Sequence, residues 1–267
     1  MRATAQCLAP GFWRRSLDEF KRLSNTALKL EALRTPTSRF PLITFSEPSS
    51  IEACKVMSDA DMGGFSRASL DFVPAKDDEP AHARFHGNIS LELPPNRPEI
   101  QRTGYAAWRT KDRPPTMFGK ALWDIDPYTY LALRIKSDGR KYFVNVQTES
   151  IVPTDLHQHR LYSRKPGEWE TVLINWTEFV RTNHGLVVEP QREMLRQKVR
   201  TVGIGLIDRV PGPFDLSISA MWATNESIEG RKGAEKPQVS ERRVDGELEA
   251  GEPESVRKPP KPEKILL

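Results

Sequence analysis

Asp59, Asp61 and Gly64 lie in the stretch MSDADMGGFSRASLDF (Met57 to Phe72), with the spacing of positions one, three and six of a calcium loop. Such a loop also needs an oxygen-bearing side chain at its fifth position and a bidentate glutamate at its twelfth. Gly63 and Leu70 occupy those places, so two carboxylates would have to surround the ion alone. A structural calcium held through other carbonyls stays open. A turn fits the residues better: Asp59 and Asp61 can bond their own backbone, and Gly63-Gly64 supplies unusual φ values. SRASLDF then begins a strand.

The histidines fall into two close pairs and one single residue. HARFH (His82, His86) lacks the glutamate and the helix of a zinc protease motif. DLHQH places Asp155, His157 and His159 two apart, on one face of a strand. A third ligand must come from elsewhere, and His184 is the remaining histidine. GIGLID (Gly203 to Asp208) lacks the third glycine and the following helix of a dinucleotide fingerprint. It reads as a strand with small residues where something packs closely. No serine or cysteine sits in a nucleophile motif. The expectation is no catalytic residue, no metal and no cofactor. Trp108, Trp123, Trp169, Trp176 and Trp222 either fill a core or stack on sugars from an exposed face, and core is the favoured reading.

The elements that would position these residues are short strands. YLALRIK puts Leu131, Leu133 and Ile135 on one face, and KYFVNVQTE does the same for Tyr142, Val144 and Val146. Asp138-Gly139 between them predicts a hairpin. EWETVLI, VRTVGIGLI and FDLSISAMW supply further strands. QREMLRQKV (Gln191 to Val199) reads as a short helix. Frequent turns, many strands and few helices predict an all-β sandwich or barrel.

Ahead of the strands, SLDEFKRLSNTALKLEALRTP (Ser16 to Pro36) predicts a helix. Ser16 and Glu19 fit a capping box, and Pro36 stops the helix. Leu17, Phe20 and Leu23 recur at helical spacing, with Lys21, Arg22 and Lys29 on the other face. This helix can pack on its own domain, dock in a partner's groove or lie on an anionic membrane. Leu17, Phe20 and Leu23 are the candidate contact residues.

Composition bounds the rest. The chain has 267 residues, 37% hydrophobic and 28% charged, low in apolar content for its length, so part of it is expected outside the core. A net charge of +4 with dispersed basic residues argues against a nucleic-acid binder. Cys7 and Cys54 alone cannot build a disulfide framework or a zinc knuckle, and a reducing compartment follows. No apolar run approaches the roughly 20 residues of a membrane span. Met1 to Leu17 carries Arg2, Arg14 and Arg15, and its first acid is Asp18; that suits a transit peptide or an ordinary basic N-terminus. Beyond Asn225 the chain mixes charges and prolines without an aromatic residue, which predicts a disordered tail ending in EKILL.

The blocks MSDADMGGFSRASL, FHGNISLEL, GYAAWRT, YLALRIKSDGRKYFVNVQTES, KPGEWETVLINWTEF and VGIGLIDRVPGPFDLSISAMWA come in an order that resembles the complex I intermediate-associated protein family of the thirty-kilodalton type. The resemblance covers about Phe40 to Asn225. It implies a galactose-binding-like jelly-roll β-sandwich. It also implies a non-enzymatic assembly factor for mitochondrial complex I, with other assembly factors and a membrane-arm intermediate as partners. Such a protein would act in the mitochondrial matrix, peripheral to the inner membrane. A carbohydrate-binding or carbohydrate-modifying sandwich is the alternative. The resemblance supports the transit reading and treats the Ser58-Asp59 and Gly63-Gly64 block as a fold signature. The expected division is a presequence at 1–15, a helix and linker at 16–39, the sandwich at 40–225 and the charged tail at 226–267.

Overall fold

The computed structural model describes residues 11–29, 36–150, 152 and 154–226, with side chains omitted from 25 to 29. Most of the predicted presequence and the tail beyond Glu226 lie outside the described residues. One long helix, α1 (Phe12–Lys29), precedes thirteen strands. They are β1 (Phe40–Thr44), β2 (Cys54–Ser58), β3 (Arg67–Val73), β4 (His82–Ile89), β5 (Ala106–Thr110), β6 (Tyr130–Ser137), β7 (Tyr142–Thr148), β8 (Asp155–Arg160), β9 (Trp169–Asn175), β10 (Val180–Asn183), β11 (Leu186–Val187), β12 (Val199–Leu206) and β13 (Gly212–Thr224). A four-residue helix, α2 (Ser49–Glu52), sits before β2.

The strands form the two sheets of a β-sandwich. The first runs β3-β4-β13-β6-β9, with β1 paired to β13; the second runs β11-β10-β8-β7-β12-β5-β2. β13 is the spine of the first sheet. On one side it pairs first with β4 and then with β1, and on the other with β6. Its alternation changes phase midway. Phe214, Leu216 and Ile218 point inward, then a register shift between Ile218 and Ala220 brings Met221 and Ala223 inward. A bulge of this kind lets one long strand keep its apolar face on the core while it bends. The core holds the residues that alternation picked out: Leu131, Leu133 and Ile135 from β6, and Tyr142, Val144 and Val146 from β7.

Asp138-Gly139 does not make a hairpin. β6 lies between β13 and β9 in one sheet, and β7 between β12 and β8 in the other. The local geometry is as predicted, with Gly139 at φ +89°. A tight turn sets the direction of the chain but not the partner of each strand. By arching between sheets, the turn lets the apolar faces of both strands meet in the core. Asp138 braces the arch by accepting from Arg140 N–H (3.0 Å), the Tyr142 hydroxyl (3.1 Å) and Asp215 N–H (2.8 Å). Burial, with Asp138 alongside, pushes the Tyr142 hydroxyl pKa up. Arg140 donates to both oxygens of Asp208, at 3.0 and 2.8 Å, and to the carbonyls of Gly212 and Pro213 at 3.1 and 2.9 Å, as well as to that of Val210.

Two other local expectations change. α1 starts at Phe12, so Ser16 is not a cap but lies within the helix, its Oγ donating to Phe12 O at 2.9 Å. A mid-helix serine commonly returns its hydroxyl to the carbonyl four residues back. Gln191 to Val199 forms only a short 3-10 turn at Arg196–Lys198, running straight into β12.

Candidate functional site

α1 rests on the sandwich through a few polar and aromatic contacts. The buried Ser16 Oγ also accepts from Met117 N–H at 2.9 Å, which ties the second turn of the helix to the loop around Thr116–Gly119. One turn further on, the Phe20 ring stacks near Phe118, with centroids 6.4 Å apart and planes at 17°. Arg22 pairs with Glu19 at 2.7 Å along the flank of the helix.

These contacts leave an apolar surface in water. Leu17, Phe20 and Leu23 are all exposed, as the candidate role requires, and the helix start adds Phe12 and Trp13. Trp13 is 74% exposed and Met117 is 60% exposed. Sequence periodicity finds the helical residues but misses Met117 and Phe118. Their sequence signal is modest: two large apolar residues in a turn between Pro114-Pro115 and Gly119. Burying one such side chain is worth about 1.5–3 kcal/mol. Several such side chains stand in water on α1 and the turn beside it. Ser16→Ala is expected to cost about 1 kcal/mol of helix docking, since it removes one hydrogen bond at the contact. Faster amide exchange in α1 with an unchanged sandwich is the measurement that checks it.

The Met57–Phe72 stretch serves the backbone, in a different way from the expectation. The Asp59 carboxylate does not bond its neighbours. It is fully buried and accepts from Ser66 N–H (2.8 Å), the Ser66 hydroxyl (2.8 Å) and Gly104 N–H (2.5 Å). The local cap is Ser58, whose Oγ accepts from Ala60 N–H at 3.3 Å. Gly63 has φ +97°, and a Cβ on Gly64 would stand 2.6 Å from Asp59 Cγ. The two glycines let the loop close over the carboxylate.

The other candidates are also engaged in structure. Asp155 accepts from Asn183 (2.8 Å) and Arg181 (2.9 and 2.5 Å), and these bonds, that from Asn183 foremost, lower its pKa. His157 is buried, which lowers its pKa, with Arg181 adding to the effect. His159 Nε2 lies 3.3 Å from Glu178, and His86 Nε2 lies 2.6 Å from Asp71. His82 is buried edge-on to Trp169, and His184 sits in the turn between β10 and β11. Among the described residues no group of three or more His, Cys, Asp or Glu is placed to hold a metal. Cys54 is buried, and burial pushes its thiol up to about 12; Cys7 lies outside the described residues. In β12 the close approach expected of its glycines is present: a Cβ on Gly203 would stand 2.1 Å from Trp108 O. Trp108, Trp123 and Trp176 are buried and Trp169 and Trp222 half-buried, so the sandwich tryptophans serve packing.

Comparison with known proteins adds the following. The family described as complex I intermediate-associated protein 30 matches residues 43–218. A Neurospora crassa protein named complex I intermediate-associated protein 30, mitochondrial, is 54% identical over 244 residues, covering 85% of this chain and 88% of its own length. Proteins of the same name from Drosophila melanogaster and Mus musculus are 28% and 29% identical, each over 65% of this chain. The chain spans 59% of the fly relative and 52% of the mouse relative. Among solved structures, a family 11 carbohydrate-binding module of a Clostridium thermocellum cellulase superposes with a TM-score of 0.50 at 12% identity. It covers 72% of this chain and 96% of the module, a likeness of fold alone.

Proposed function

Because the chain belongs to the complex I intermediate-associated protein 30 family, we propose that it is a non-enzymatic assembly factor for mitochondrial respiratory complex I. It binds other assembly factors and an immature membrane-arm intermediate, and it works in the matrix, peripheral to the inner membrane. Its relatives carry names that place them in mitochondria and associate them with complex I intermediates. Among the described residues no helix is long and apolar enough to cross a bilayer, which suits peripheral attachment.

The observation that carries this reading is the exposed apolar surface of Leu17, Phe20 and Leu23, widened by Trp13, Met117 and Phe118. A binding protein needs a surface that gains on association, and this one gains by leaving water. Asp59 is spent on two backbone N–H groups and a serine hydroxyl, and Asp155 on Asn183 and Arg181, which suits a scaffold. A carbohydrate-binding role would call for an exposed aromatic platform, whereas the sandwich tryptophans are buried or half-buried.

The test is deletion of the gene, native-gel separation of the respiratory complexes, and rescue. The wild-type chain is expected to restore complex I. Leu17→Glu with Phe20→Glu is expected not to, while the sandwich stays folded. Two charges at an apolar contact cost several kcal/mol, enough to abolish a micromolar complex. Normal complex I in the deletion strain would remove the assembly role. Full rescue by the double variant would move the contact away from α1.

A further inference from the structure

β9 ends the first sheet, so one of its edges has no strand partner. The ladder to β6 fixes which backbone groups point there. Trp176 N–H donates to Thr129 O at 3.2 Å, just past the last β6–β9 pair. By alternation, Glu170, Val172 and Ile174 turn their N–H and C=O groups toward β6, and Thr171 and Leu173 turn theirs outward. Among the described residues no backbone group bonds these outward groups.

They face a cleft of about 190 Å³, with Glu170 to Ile174 along one wall and the segment from His159 to Arg164 along the other. Proteins usually blunt an open edge with a lysine, a proline or a bulge, or keep it very short. β9 has no lysine, proline or bulge and runs seven residues, and its one charge, Glu170, is turned to Ser163 and Arg164. Its run Thr171-Val172-Leu173-Ile174 favours strand pairing, and its pairing with β6 is unbroken. At the corresponding edge of the second sheet, β11 has only two residues.

The facing wall is basic. Arg160 lies over the Tyr162 ring at 5.1 Å, and among the described residues neither Arg160 nor Arg164 has a carboxylate at ion-pair distance. The acids of the cleft are already committed. Glu170 accepts from the Ser163 hydroxyl (2.5 Å) and from Arg164 N–H (3.0 Å), and Glu178 faces His159. Two guanidiniums therefore stand across from an open row of backbone donors and acceptors.

We propose that the β9 edge takes up an extended acidic segment of a partner protein. The segment pairs strand to strand with Thr171 and Leu173, and its carboxylates meet Arg160 and Arg164. Only an extended chain offers N–H and C=O groups at the spacing of the edge. A helix bonds its own N–H and C=O groups internally and leaves none for the edge. Carboxylates on the segment complement the two guanidiniums, which have no acid at ion-pair distance among the described residues. This surface involves no residue of α1 and goes beyond the helix contact.

The test is amide exchange followed by NMR on the full chain, with a blocked seven-residue peptide alternating valine and glutamate as probe. Exchange at Thr171 and Leu173 is expected to slow at least about tenfold when the peptide is present at about 1 mM, as a newly made ladder bond requires. Arg164→Glu should weaken binding by about tenfold or more, the scale of a lost charge-assisted contact. Leu173→Pro removes an outward N–H without touching the β6 ladder and should abolish protection at Thr171. A lysine version of the peptide, and one N-methylated along its pairing edge, should not bind. Unchanged exchange with the acidic peptide overturns the proposal. So does equal binding of the N-methylated peptide, which would make the cleft a simple anion site. Equal binding by the Arg164→Glu chain would remove the acidic requirement.

Discussion

Asp59→Ala is expected to lower the stability of the sandwich by about 4 kcal/mol, because it strands several buried donors at once. The Ser66 N–H, the Ser66 hydroxyl and the Gly104 N–H all converge on this carboxylate, which no solvent reaches. The Ser66 hydroxyl keeps a second acceptor, Ser90 O at 3.1 Å, but each buried N–H left without one costs about 1–3 kcal/mol, and the vacated space adds a cavity. The residues joined are far apart in sequence, so the loop between β2 and β3 would come loose from the segment leading into β5. Asp59→Asn should fall between the two, since it keeps one oxygen and turns an N–H₂ toward a donor. Gly64→Ala should mimic the damage from the other side, by driving a Cβ into the carboxylate. Chemical denaturation reads all three. A midpoint for Asp59→Ala within error of wild type would mean that water replaces the carboxylate without loss. Calcium and chelators should leave each midpoint unchanged if the carboxylate serves the backbone alone.

Arg140→Ala is expected to cost about 3–5 kcal/mol, the range for breaking a buried ion pair from one side. The Asp208 side chain is 4% exposed and takes both of its guanidinium bonds from Arg140. Without Arg140 it is a buried charge with its main partner gone. The Gly212 and Pro213 carbonyls lose their donor as well, at the point where β13 begins. Arg140→Lys should recover little, because an ammonium cannot serve two carboxylate oxygens and several carbonyls from one planar fork. Arg140→Met with Asp208→Asn should be milder than Arg140→Ala alone, since no charge is then left behind. Thermal melts of the four proteins provide the check. If the paired variant proves the worst of the set, the cost lies in packing at the arch and not in the stranded charge.

Much of this architecture is legible in the chain. Alternation in YLALRIK and KYFVNVQTE names the inward faces of β6 and β7 correctly, because a strand must put every second side chain on the same side. Helical spacing likewise found Leu17, Phe20 and Leu23, and the structure leaves them exposed. The start of α1 at Phe12 is hidden in the sequence because Ser16-x-x-Glu19 imitates a cap. Nothing local reveals that the serine is needed by Met117, 101 residues away.

Period, turn chemistry and composition therefore determined the strand-rich class, the inward faces and the positions where glycine is required. They are local properties, set by the geometry of a few consecutive residues. Pairing was decided elsewhere. Asp138-Gly139 reverses the chain in either a hairpin or an arch, and the arch wins because it brings two apolar faces together across the core. The outward groups of β9, the partners of Asp59 and the joining of Met117 and Phe118 to α1 have the same origin. Each depends on which distant segments the packed sheets bring side by side, and hydrogen bonds and apolar contacts over such separations leave no periodic trace in the chain.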